Sequence, residues 1–384
     1  MIRVYVRGRR DAKAVRHALG VEAVNIGEDF ERISFDKIPV FIFGREDLKI
    51  AMKLKDYLNS NLYSVVFVNK SRVRNARLEE IREAFEIAKA KIRLGFKFDS
   101  VFVFSPKNEF GMEIHPDYDC YFLIGKGFEK NLELIGIKAY EGSLILRKLY
   151  GEEHYYSPNL VGIIYKRIGE DLKAKPIGVG RRLDLNKTVE KNRDFLNRFE
   201  EISLNFLKRF SSDDVYVPVS GGKDSTATLI LAKKAFKDVK AIYVKTNYEM
   251  PYTDEYIKYL EGKLGVEVLE ERVHFDLERY GLPTHENRWC TALKVSAIEK
   301  YNGLLVVGDR DAESRIRRLR PEVYENKVFP IKYWSGGMVQ LYIHMNGLKL
   351  HPLYYEGFYR LGCTICPSLS DWERKLLHQK FDKH

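Results

Sequence analysis

Val215-Tyr216-Val217-Pro218-Val219-Ser220-Gly221-Gly222-Lys223-Asp224-Ser225-Thr226-Ala227-Thr228-Leu229-Ile230-Leu231-Ala232 joins an apolar run to a second one through a glycine pair. The pattern reads as strand, tight loop and helix. Such a junction suits phosphate: glycines admit close approach of an anion, successive N–H groups line the turn, and the helix N-terminus carries partial positive charge. Ser220 and Ser225 add hydroxyl donors and Lys223 a compact positive charge. Pro218 cannot donate to a ladder, so the strand is expected to end or bulge there.

Working outward, the chain from Val215 alternates β (215–219), α (223–236), β (240–244), α (252–264), β (267–271), α (290–301) and β (303–307). This predicts an α/β fold with an open parallel sheet and ligands at the carboxyl ends of its strands. Residues 1–95 read as a small α/β unit, with strands at Ile2–Val6, Pro39–Phe43 and Tyr63–Val68 and helices at Glu46–Leu58 and Leu78–Leu94. Residues 96–185 read as a β-rich unit, with strands at Val101–Phe104, Tyr121–Ile124, Ser143–Leu146 and Val161–Tyr165. Its ending, Lys175–Arg181, resembles the last strand of the RNA-binding PUA domain. Residues 186–213 form a charged helical connector, and 214–384 the C-terminal domain.

The 384 residues are 45% hydrophobic, enough for a full core. No apolar run is long enough to span a bilayer and residues 1–10 lack the apolar segment of a signal peptide, so a cytoplasmic protein without a membrane partner is expected. Net charge is +11; up to Glu190, 34 Lys and Arg face 27 Asp and Glu, leaving the smaller excess of +4 downstream. The upstream half is therefore expected to present a polyanion such as tRNA, and to do so as an isolated 1–190 fragment, although a solvated basic surface explains the same charge. Charged residues at 31% and only two glutamines, Gln340 and Gln379, lean toward a thermophile. Four cysteines cannot frame a disulfide scaffold; Cys120 reads as a core residue, and the others as metal or redox groups.

Ser220–Ser225 departs from Walker A spacing and resembles the pyrophosphate loop of the PP-loop ATPases. Further segments, over roughly Asp214 to Glu373, resemble the phosphoadenylyl-sulfate (PAPS) reductase family in the family's own order. Lys245–Thr253 is similar to its second-strand segment, with Lys245 where an acid is usual and Asn247 where a glycine is. Arg288–Lys294 matches its cysteine-to-lysine helix start, and Gly308–Arg315 its Gly-x-Arg-x-x-Glu-Ser element. Pro352–Pro367, with Cys363 and Cys366, is the most specific match.

The resemblance implies an adenine nucleotide held by Ser220, Gly221, Gly222, Lys223, Asp224, Ser225, Thr246, Gly308, Arg310 and Arg315. Lys223 and Asp224 would be catalytic, with Asp224 holding Mg²⁺ or orienting the loop. At least two of Arg315, Arg317, Arg318 and Arg320 are expected on a solvated face. Cys290, Cys363 and Cys366 would ligate a [4Fe–4S] cluster whose open iron handles sulfur from a donor; zinc with those cysteines and His285 or His351 is the structural alternative. The loop has the form seen in ATP-consuming members, and no cysteine follows Cys366 to serve as the reductase nucleophile. ATP-dependent nucleotidyl or sulfur transfer, as in tRNA thiolation, is therefore expected ahead of PAPS reduction or of a nucleotide- or RNA-binding protein with structural zinc.

Overall fold

A computed structural model describes residues 1–58, 62–148, 151–165 and 172–381. Among them the chain forms three larger sheets and one hairpin. The first sheet is parallel, in the order β2 (Ala23–Asn25), β1 (Ile2–Val6), β3 (Ile38–Phe43), β4 (Ser64–Phe67), with helices α1 (Arg9–Leu19), α2 (Leu48–Leu58) and α3 (Leu78–Leu94). β3 is buried at every position, which is why Ile38–Phe43 reads as an unbroken apolar run rather than an alternation. The hairpin β5 (Phe96–Asp99) and β6 (Val101–Phe104) follows α3.

The second sheet is an antiparallel meander of β7 (Tyr118–Phe122), β8 (Leu144–Lys148), β9 (Glu152–Tyr156), β10 (Leu160–Tyr165) and β11 (Lys173–Pro176), with α4 (Lys126–Glu133) between β7 and β8. Helices α5 (Leu185–Lys191) and α6 (Arg193–Leu207) lead into the third sheet. Asn192 between them is buried, and its amide bonds to Phe104 N and Phe102 O, tying the connector to the hairpin.

The third sheet runs β14 (Glu267–Val273), β13 (Lys240–Thr246), β12 (Val215–Val219), β15 (Leu304–Val306), β17 (Lys327–Val328), β16 (Val323–Tyr324). All its pairings are parallel except the β16–β17 edge hairpin. Its helices are α7 (Lys223–Ala235), α8 (Thr253–Leu264), α9 (Leu277–Tyr280), α10 (Trp289–Ile298), α11 (Arg315–Leu319), α12 (Gly336–Met345) and α13 (Asp371–Phe381). This is the open, mainly parallel α/β sheet that the alternation predicts. β12 corrects one expectation, because it continues through Pro218, which pairs with Ile242 of β13. β15 pairs only with Val215 and Tyr216, so on that side no ladder partner stands beside the proline.

One apolar core runs from Met1 and Val4 through Phe122 and Leu146 to Val219, Leu341 and Leu377. α12 lies between α7 and β7 and is buried along its body. Salt bridges also join residues 1–190 to the C-terminal part: Lys89 of α3 reaches Asp311, itself paired with Lys332, at 2.9 Å, and the Met1 amino group reaches Glu322 at 2.6 Å. This packing argues against a self-contained 1–190 fragment, since cutting there would expose apolar core and strip Lys89 of Asp311.

Candidate nucleotide site

Gly221 turns the chain from β12 into α7 with φ +70°, a left-handed conformation that side chains adopt only with strain. Ser220 is exposed at the tip, and Ser225 Oγ donates back to Gly222 O at 2.9 Å, closing the turn. Among the described residues the amides of Gly221, Gly222, Asp224 and Ser225 have no protein acceptor, whereas Lys223 N donates to Tyr354 Oη at 2.9 Å. Four unmet donors at the start of a thirteen-residue helix form an electropositive lip. Gly308, just beyond β15, lies against this lip: a Cβ there would stand 2.9 Å from the carbonyl carbon and oxygen of Asp224.

Behind the lip lies a buried charge network. Asp224 Oδ1 accepts from Arg310 Nε at 2.5 Å and Oδ2 from Lys223 Nζ at 2.7 Å. Burial pushes the Asp224 carboxyl up, but Arg310 and Lys223 outweigh it and hold its pKa down at about 2. Burial wins at Lys223, whose pKa falls below its usual value despite Asp224. Its ammonium also donates to Tyr359 O at 3.3 Å and lies over the rings of Tyr121 and Tyr354. Arg310 is 1% exposed and reaches out of its own sheet to Asp119 of β7, Nη1 to Oδ2 at 2.7 Å. Lys223, Asp224 and Arg310 thus brace the loop from beneath instead of projecting into solvent. With both carboxylate oxygens of Asp224 engaged, it does not fit the role of a free Mg²⁺ ligand, and of its two expected roles orienting the loop is the one this geometry supports.

The other predicted residues divide. Arg315 is exposed and forms no ion pair among the described residues, while Arg317 pairs with Glu313 and Asp309, Arg318 with Asp117, and Arg320 with Asp309. Thr246, at the end of β13, is buried and donates to Glu249 Oε1 at 2.7 Å. Lys245 pairs with Asp254 at 2.5 Å, and Asn247 ties the ends of β13 and β14 together through Phe275.

The cysteines are not gathered into a metal centre. Among the described residues no three His, Cys, Asp or Glu side chains converge to hold an ion. Cys363 Sγ lies 3.6 Å from Thr246 Oγ1 and feels the charge of Lys294, one helical turn after Cys290. Burial pushes the Cys363 thiol up against the pull of Lys294. Burial pulls the Lys294 ammonium down, but Cys363 and Glu249 outweigh it and its pKa lies above the usual value. The zinc alternative fits no better: His285 is exposed, and His351 Nδ1 accepts from Leu353 N at 3.2 Å while Nε2 faces Thr253 Oγ1 at 3.4 Å. These donors fit neither the cluster nor zinc as arranged. Cys120 is fully buried in the core, with Sγ 3.5 Å from Arg93 O.

Sequence comparison bears on the same segment: residues 214–369 match the phosphoadenosine phosphosulfate reductase domain. Over that segment the chain resembles a reductase-type domain. An uncharacterized protein of Methanocaldococcus jannaschii is 29% identical over 256 residues, 59% of this chain and 62% of its own. The chain therefore spans less than two thirds of that relative. An adenosine 5'-phosphosulfate reductase of Streptomyces coelicolor is 26% identical over 219 residues, 52% of this chain and 86% of its own. Among solved structures, the U34-tRNA thiolase of Methanococcus maripaludis with its [4Fe-4S] cluster covers 48% of this chain and 74% of its own at 18% identity. Its TM-score of 0.30 is too low to argue from. In the reductase-type domain the loop, Gly308 and Arg310 all stand at the carboxyl ends of β12 and β15. Of the residues that complete the surroundings of the loop, Tyr354 and Tyr359 fall within the Pro352–Pro367 match, whereas Asp119 and Tyr121 carry no motif that would have marked them beforehand.

Proposed function

We propose that the chain is an adenine-nucleotide-dependent transferase in which Ser220–Ser225 hold the phosphates of ATP. The observation that supports this most is the set of four amides without protein acceptors around left-handed Gly221 at the head of α7. In this reading an acceptor oxygen attacks the α-phosphorus, the bond to the bridging oxygen breaks, and pyrophosphate leaves along the loop. Its growing negative charge meets the amide dipoles, Ser220 and Ser225. Mg²⁺ would arrive on the nucleotide's phosphates. Lys223, Asp224 and Arg310 keep the loop in place. Hydrosulfide then attacks the activated acceptor carbon, the C–S bond forms as the C–O bond to AMP breaks, and AMP leaves a thiolated product.

RNA is the acceptor class that the charge distribution favours. Arg9, Arg10, Arg45 and Lys70 are exposed where β1, β3 and β4 end, and the nearby Asp11 and Asp47 are buried against Arg72. Among the described residues no helix is long and apolar enough to cross a membrane. Calorimetric titration of the full chain with ATP and Mg²⁺ tests the loop: saturable binding that Gly221→Val abolishes in a folded protein supports the proposal, and undiminished binding by that variant removes the loop from the site. The similarity to adenosine 5'-phosphosulfate reductase favours one second reading, reduction of an adenylated sulfate, in which the same amides would receive the sulfate or phosphate end of the nucleotide.

A further inference from the structure

Arg310 and Asp119 are 191 positions apart and lie on different sheets, yet they meet at 2.7 Å with both side chains buried. Asp119 is itself fixed: its Oδ1 accepts from Gly336 N and from Cys120 N, each at 2.9 Å. Arg310 carries this fixed point on to Asp224 through Nε, and Asp224 carries it to Lys223. The carbonyl of Asp224 in turn accepts from Thr228 Oγ1 at 2.9 Å and faces Gly308. Four charges thus run in alternating sign from the upstream meander to the first turn of α7. Nη2 of Arg310 is buried with no acceptor among the described residues. A lone buried donor is costly, and such groups persist where an arriving ligand or a constrained geometry requires them.

We infer that Asp119 is a positioning residue for the nucleotide loop, contributed by the sheet outside the reductase-type domain. The inference rests on the nucleotide reading above. Asp119 sets the orientation of Arg310, Arg310 sets the carboxylate of Asp224, and the amides of Gly221–Ser225 hold the curvature that the phosphates need. The upstream meander is on this view part of the nucleotide site as well as packing for it. Other contacts across the boundary, such as Met1 to Glu322, join the units without touching this chain of charges.

The test uses the full chain carrying Asp119→Asn, with Glu322→Gln as a comparison that cuts a boundary contact remote from the loop. Two quantities are read: the ATP dissociation constant by calorimetry, and hydrogen exchange of the peptide covering residues 219–226 without nucleotide. Asp119→Asn is expected to raise the dissociation constant about tenfold or more and to speed exchange in that peptide, as coupled charged neighbours do, with Glu322→Gln leaving both unchanged. Unchanged affinity and exchange in Asp119→Asn, or equal changes in both variants, would overturn the inference and leave Asp119 as packing alone. If the wild type binds no ATP, the proposed function fails, and the exchange comparison still decides whether Asp119 positions the loop. Should Asp119→Asn fail to fold, Arg310→Lys keeps the charge but cannot span both carboxylates. Weaker ATP binding and faster exchange in that variant support the inference, and no change in either overturns it.

Discussion

Gly308→Ala should damage the site from the strand side. The added Cβ would meet the carbonyl carbon and oxygen of Asp224 at 2.9 Å and Thr228 Oγ1 at 3.0 Å. These are backbone and a braced hydroxyl, so neither can swing aside. Restoring ordinary contact requires the loop or the end of β15 to move by about half an ångström, and overpacking of this kind costs about 1–3 kcal/mol. The displaced element carries the phosphate-facing amides, and misplacement on this scale weakens oriented contacts by about tenfold to a hundredfold. Guanidinium unfolding with ATP calorimetry measures both effects. Gly262→Ala supplies the opposite sign: the glycine lies inside α8 with nothing within 4 Å of an added Cβ, so alanine should stabilise by about 0.5–1 kcal/mol and leave ATP affinity alone. A Gly308→Ala protein as stable as the wild type, with unchanged affinity, would refute the close packing of loop against strand.

Three further outcomes are expected. His351 is fully buried beside Gly221, and burial pulls its pKa from 6.5 to about 4; it stays neutral when folded and protonates when unfolded, so its stability contribution is present above about pH 6.5 and is lost as pH falls toward 4. Unfolding free energies should therefore fall by about 2 kcal/mol between pH 7 and pH 5, and His351→Gln should flatten that part of the profile. Residues 191–384 made alone should be insoluble or molten, because Arg310 loses Asp119 and the shared core is opened; a sharp near-ultraviolet dichroism spectrum and a cooperative melt would contradict this. Changing Arg9, Arg10, Arg45 and Lys70 together to glutamine should lower RNA affinity and reduce the slope of log affinity against log salt by about 3, and an unchanged slope in a folded variant would move RNA elsewhere.

Most of the third sheet was legible because each strand is a short apolar run and each helix a separate periodic segment; β12, α7 and β14 begin where the pattern puts them. α12 escaped notice because it is buried all round, so Gly336–Met345 has no polar face to give it a period. α1 was hidden by its charge, since its buried face includes Asp11 beside Val15 and Ala18. Within the site, the loop announces itself through Gly221 and Gly222. Asp119 does not, because a single acid on a strand has no spacing to recognise and its partner stands on another sheet. Charge counting likewise could not show that residues 1–190 share a core with the remainder. Among the cysteines, spacing placed Cys363 and Cys366 on one turn, but it does not show that Cys363 faces Thr246 and Lys294.

The central claim is that the loop handles the leaving phosphates of ATP. Product analysis tests it most directly: the full chain is incubated anaerobically with Mg²⁺, bulk tRNA, sulfide and either α-labelled ATP or adenosine 5'-phosphosulfate with a thiol reductant. Pyrophosphate and AMP are expected in equal amounts from ATP, dependent on RNA and abolished by Gly221→Val, with no sulfite from adenosine 5'-phosphosulfate. Sulfite release without pyrophosphate would contradict it and make the chain a reductase.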